Sequence, residues 1–159
     1  MLYFVYTARL APDGLRTVAP SAEFEFVAHV AEATLSFSVE GNGWKGGLPT
    51  VVPTPGSNVW GGVFSIPAVE AEALDRLEAT ESRSREETDV IDRSGRRHRV
   101  AIHRTAEPVK RELPPAPAYL ALMVSGSRHW GLPIGWIIGL DDRLDATAGQ
   151  PGENRAFWP

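Results

Sequence analysis

The sequence predicts an α+β fold, a curled mixed sheet with helices packed against it, and three observations carry that prediction. Short apolar, aromatic and β-branched runs separated by glycine, proline and asparagine crowd the first 66 residues. Helical periodicity begins only at Pro67 and returns after Tyr119, so strands come first and helices late. With 159 residues and 43% apolar content, the chain is long enough for one domain with a proper core. That domain is expected over residues 1–159, with 148–159 as a C-terminal tail.

The first strand is read at Leu2 to Tyr6, an apolar run typical of burial on both faces, and it turns polar abruptly at Thr7. "APDG" follows as a turn, proline setting φ and Asp-Gly closing it. "FEFVAHV" and "ATLSFSVE" are separate strands; in the second, Leu35, Phe37 and Val39 alternate with polar neighbours. "GNGWKGG" is a glycine-rich loop, "LPTVVP" a short extended piece and "TPGSN" a turn. "VWGGVFSI" is the next strand, its glycines marking a bulge or a close backbone approach. A helix then runs through "PAVEAEALDRLEA", with Val69, Ala73 and Leu77 spaced as an apolar stripe. The charged stretch 80–97 is expected to be exposed, a loop or a hairpin edge turning at Ser94-Gly95, before the alternating strand "HRVAIHR". After proline-rich "KRELPPAPA", a helix from Tyr119 to about His129 ends near Gly131, and another starts at Pro133.

Several function classes are disfavoured at once. A net charge of −4 is not the basic footprint of a nucleic-acid binder. The absence of cysteine removes thiolate nucleophiles and cysteine-held metals. "YLALMV" and "IGWIIGL" fall far short of the ~20 apolar residues of a membrane span, and no N-terminal targeting pattern is seen, so a cytoplasmic protein is expected. "GNGWKG" matches a dinucleotide fingerprint in letters only, because proline-containing extended chain follows where a helix N-terminus is needed. The four histidines lack metal-ligand spacing, "LDDRLD" lacks the pattern of a calcium loop, and "SGSRH" reads as close helix packing rather than a triad. The basic "RSGRRHRV" is balanced by acidic "ESRSREETD" before it, a charge-mixed hairpin rather than a phosphate track.

Glu78 stands apart. It lies at the C-terminal end of the Pro67 helix, where the helix dipole disfavours its ionised form, and burial would act in the same sense, as a proton shuttle near neutral pH requires. Taken alone, a helix-end glutamate is more often surface decoration.

The order of segments adds weight. "YFVYTARL", "PSAEFEFVAHVAEATLSFS", "WKGGLPTVVPTPGSNVWGGVFSIP", "ALDRLEATES" and "PPAPAY…GLP" together resemble the γ-glutamyl cyclotransferase family over about residues 2 to 137. The resemblance implies a small mixed β-barrel or roll with packed helices. It implies a cofactor-free, metal-free reaction in which the α-amino group of a γ-glutamyl amide displaces the amine and closes 5-oxoproline. Glu78 falls on the family's general acid/base, and Tyr6, Thr7, Ala8, Arg9 and Leu10 fall on its substrate loop, Y-G-S-N-L. Tyr119 and the Gly131–Pro133 turn are expected either to support the pocket wall or to play a purely structural role, and the expected partner is a small molecule, with a monomer or homodimer left open.

The departures from the family pattern define the question. Glycine, serine and asparagine of the loop are Thr7, Ala8 and Arg9, Ala79 follows Glu78 in place of glycine, and Arg85 stands near an expected tyrosine. A positive φ at Thr7 would strain a β-branched residue, whereas an ordinary φ would change side-chain contacts only. Arg9 and Arg85 can each pair bidentately with a carboxylate, so an altered or more acidic substrate is expected. The rivals are a non-catalytic small-molecule-binding or regulatory domain, and another amine or acyl transfer using the same glutamate.

Overall fold

The computed structural model describes residues 1–40, 43–106 and 111–148. The chain forms a closed five-stranded barrel with strand order β1-β3-β2-β4-β5 and helices on its outside and end. The strands are β1 (Leu2–Val5), β2 (Glu23–Val39), β3 (Leu48–Ser65), β4 (Ser84–Asp92) and β5 (Arg97–Arg104). The helices are α1 (Pro12–Arg16), α2 (Ala68–Ala79), α3 (Pro117–Trp130) and α4 (Ile134–Ala148). The α+β class and the small mixed barrel agree with the expectation. The C-terminal tail beyond residue 148 lies outside the described residues, as do Gly41 and Asn42 of the glycine-rich loop.

β1 is apolar throughout because both of its faces are covered. Phe4 and Tyr6 belong to the cluster that fills the barrel with Val63, Val100 and Ile102. Tyr3 and Val5 pack on the outside with Phe64 and with Ala71 and Leu74 of α2. β1 pairs antiparallel with β3 and parallel with β5, closing the barrel through Tyr3 opposite Ala101 and Phe4 opposite Ile102. The parallel pairing brings the C-terminal ends of β1 and β5 to the same end of the barrel. The "GG" of β3 is a close approach, since a Cβ at Gly61 would stand 2.5 Å from the Val5 carbonyl oxygen.

Four segments expected as separate pieces are two long bent strands. β2 runs unbroken through both of its predicted strands, and "TPGSN" lies inside β3 rather than ending it. The reason is a bulge: Ala31 pairs with Asn58 and Ala33 with Pro53, so Glu32 faces the extra residues of β3. Glu32 sits at φ 55, and its carboxylate accepts the Gly56 amide at 2.9 Å. The charged stretch resolves into the β4–β5 hairpin, its turn held by Asp92 accepting the Ser94 and Arg96 amides. No helix among the described residues is long and apolar enough to cross a membrane.

α2 begins and ends as expected but presents a different face. Ala71, Leu74 and Glu78 are its buried positions, while Val69, at the head of the expected stripe, is 82% exposed. Spacing alone supported both stripes; the barrel wall selects the one that carries Glu78. α3 stops at Gly131 in the left-handed region, as the sequence indicated.

Candidate active site

At the end of the barrel where β1 and β5 both finish, the chain leaves β1 into a tight turn instead of a loose loop. Ala8–Leu10 forms a single 3-10 turn capped by Thr7, whose hydroxyl accepts the Arg9 amide at 3.3 Å. Thr7 has φ −86, so the missing glycine imposes no strain, and threonine supplies a cap that glycine lacks. α3 fixes the turn from behind. A Cβ at Gly126 would lie 2.4 Å from the Leu10 backbone, and the Trp130 indole donates to the Leu10 carbonyl at 2.8 Å. This close approach is the role of the small residues in "SGSRH".

Opposite the turn, the end of α2 folds back on itself. The Glu78 carbonyl accepts the amides of both Glu81 and Arg83, at 2.9 and 3.1 Å, with Ser82 between them at φ 60. A non-glycine residue in that region costs roughly 1–2 kcal/mol. It returns Arg83 beneath Glu78 at the entry to β4. The Arg83 guanidinium donates to Glu78 Oε2 and to Glu81 Oε1, both at 2.7 Å. Its Nε donates to the Pro49 carbonyl at 2.8 Å and Nη2 to the Tyr119 hydroxyl at 3.1 Å, and that hydroxyl donates on to Glu81 at 2.9 Å. Glu78 is 2% exposed and Arg83 and Glu81 1% each, so the network is dry. Burial opposes the charge on Arg83, but the surrounding Tyr119, Glu78, Tyr6 and Glu81 oxygens outweigh it and hold the guanidinium protonated.

The two phenols stay neutral donors. Burial pushes Tyr6 up to about 12, against the opposing pull of Arg83, and burial likewise raises Tyr119. The Tyr6 hydroxyl donates to the His103 carbonyl at 2.7 Å, tying the end of β1 to the end of β5.

Between turn and helix lies a small cleft, about 10 Å³ inside, lined by Tyr6, Thr7, Arg9, Leu74, Glu78 and His103 together with β1 residues Phe4 and Val5. Of the residues named from sequence, the structure brings Glu78, Tyr6, Thr7 and Arg9 together there. Arg9 reaches to 3.9 Å from Glu81, and its buried Nε has no hydrogen-bond partner. Ala8 and Leu10 turn into the two apolar clusters instead. Tyr119 is fully buried and acts on Glu81 and Arg83 rather than on the cleft. Arg85 lies outside the cleft, 42% exposed in its side chain, against Tyr3 and Asp75. Among the described residues no group of three or more metal-ligating side chains converges.

Sequence reasoning missed Glu81, Arg83 and His103. Arg83 and Glu81 sit in a charged run read as exposed. His103 had a usable signal, because "HRVAIHR" places it on the same strand face as Ala101, which packs with α2's Ala71 and Leu74 in the outer cluster.

The sequence profile of the AIG2-like family matches residues 58–140, and the chain belongs to that family. Among its relatives are proteins named γ-glutamylcyclotransferase. The one from Bos taurus is 26% identical over 137 residues, covering 84% of this chain and 73% of the relative. The one from Homo sapiens is 27% identical, with the same shares covered. A solved structure titled γ-glutamyl cyclotransferase superposes with a TM-score of 0.80 at 26% identity, over 88% of this chain and 85% of that one.

Proposed function

We propose that the protein is a cyclotransferase-type enzyme that converts a small γ-glutamyl or related amide into 5-oxoproline and free amine. The observation that carries this reading is Glu78, buried and lining a cleft together with Thr7 and Arg9. Its carboxylate takes a proton from the substrate α-ammonium, and the freed amine attacks the γ-carbonyl carbon. The carbon–nitrogen bond to the leaving amine then breaks, and that amine takes up a proton. Because the nucleophile belongs to the substrate, the protein supplies position, proton transfer and charge stabilisation. Arg9, with an unpartnered Nε in place of the family's asparagine, favours a substrate bearing a further carboxylate.

A panel of γ-glutamyl amines and dipeptides, scored for 5-oxoproline by mass spectrometry, tests the reading. Glu78→Gln is expected to lower turnover by about 10²- to 10⁴-fold. No product from any member with the wild-type chain overturns it. One observation favours a second reading: Arg83 holds Glu78 at 2.7 Å, which suits a carboxylate that binds an ammonium without moving protons. A non-catalytic binder would show calorimetric binding of the same amides with no turnover.

A further inference from the structure

We propose that His103 is a second acid–base residue of the cleft, the general acid that protonates the leaving amine; this rests on the cyclotransferase reading above. β5 alternates, Val100 and Ile102 filling the barrel while Ala101 and His103 face the other way. His103 is buried and lines the cleft together with Glu78, Thr7 and Arg9.

Its ring is held on two sides. Nε2 lies 2.7 Å from Asp75 Oδ1, and the Tyr3 ring stacks on it with centroids 5.2 Å apart and planes at 19°. Asp75 is itself fixed: the Tyr3 hydroxyl donates to the same Oδ1 at 3.1 Å, and Arg85 donates to that hydroxyl at 3.0 Å while lying 3.6 Å from Oδ2. A carboxylate on Nε2 fixes the orientation of the ring and leaves Nδ1 for chemistry. The groups facing the imidazole are thus Asp75 from α2, Tyr3 from β1, Arg85 from β4 behind them, and Glu78 and Arg9 across the cleft.

Asp75 and Glu78 are three residues apart on α2, so they share a face with Cβ atoms about 5–6 Å apart. The imidazole is therefore stationed one helical turn from Glu78. The reaction moves protons at two nitrogens, the α-ammonium and the leaving amine, which become neighbours on the γ-carbon in the tetrahedral intermediate. Glu78 is tethered by Arg83, which limits its travel between them. With two groups the step balances without that travel. Glu78 takes the ammonium proton, the amine nitrogen bonds to the γ-carbonyl carbon and releases its second proton to solvent, and the Nδ1 proton passes to the departing nitrogen as its bond to carbon breaks. Solvent exchange at product release takes the proton from Glu78 and restores the one on His103 Nδ1. The same arrangement gives Arg85 its place: it braces the dyad rather than the substrate.

Two substrates of nearly equal size test this, γ-glutamyl ethylamide and γ-glutamyl 2,2,2-trifluoroethylamide, whose leaving amine is a far weaker base and depends less on being protonated. His103→Gln can keep a donor on Asp75 but carries no transferable proton. Its kcat is expected to fall about 10²-fold for the ethylamide and less than about tenfold for the fluorinated amide. Asp75→Asn should show the same bias in weaker form, and Glu78→Gln should lose both substrates together. Equal losses on the two amides in a folded His103→Gln protein, or no loss on either, overturn the role of His103 alone. A wild-type chain that makes 5-oxoproline from neither amide overturns the cyclotransferase reading and this role with it.

Discussion

Two clusters built from the same residue types flank the cleft, and they differ in water. On one side Glu78 and Glu81 share Arg83 under Tyr119, all of them buried. On the other, Asp75 is shared by Tyr3, Arg85 and His103, with the Asp75 side chain 28% exposed. In the dry cluster every charge needs its partner, because an unpaired ion has no solvent to fall back on. In the wetter one a lost partner is replaced by water, so its pairs set orientation more than stability. The first cluster fixes where Glu78 stands; the second steadies an imidazole facing it.

The comparison breaks first at Arg83. Arg83→Met keeps most of the volume but strands two buried carboxylates, and urea denaturation should show a loss of about 3–5 kcal/mol. A loss below about 1 kcal/mol would mean that the carboxylates had reached water and the two clusters are alike. Combining it with Glu78→Gln and Glu81→Gln should recover part of the loss, since the stranded charges go with it. Tyr119→Phe removes one hydroxyl from the same network and is expected to cost about 1–2 kcal/mol, read by the same titration. The smallest effect is assigned to Arg85→Met, below about 1 kcal/mol and fading further in 1 M salt. An Arg85 variant as damaging as the Tyr119 one would place both clusters in the same regime.

Much of the scaffold was legible. The apolar run of β1, the alternation in β5 and the Gly131 stop each rest on backbone period or backbone conformation, which neighbouring residues encode. Glu78 was singled out by its place at a helix end and by the family order, and it lines the cleft between α2 and the turn after β1. The stripe of α2 was misjudged because Val69, Ala73 and Leu77 satisfy the helical period as well as Ala71, Leu74 and Glu78 do. A glutamate at an inward position counts against the stripe it occupies in any hydrophobicity pattern. The turn after β1 was legible as a location and not as a shape, since nothing local says that Thr7 caps a 3-10 turn.

The sequence by itself determined the elements, the order in which they come and the residue at which proton transfer is proposed, because those depend on spacing along the chain. The tertiary structure decided which charges are inside. Arg83 and Glu81 look solvated in sequence, and ordinarily such residues are; His103 gives only its strand face. They are buried here because a left-handed turn at Ser82 and the closure of β1 on β5 bring opposite charges and hydrogen-bond acceptors within 3.1 Å of one another. That compensation is available only after residues from β1, β3, α2, β5 and α3 have met, so no local stretch of the chain announces it.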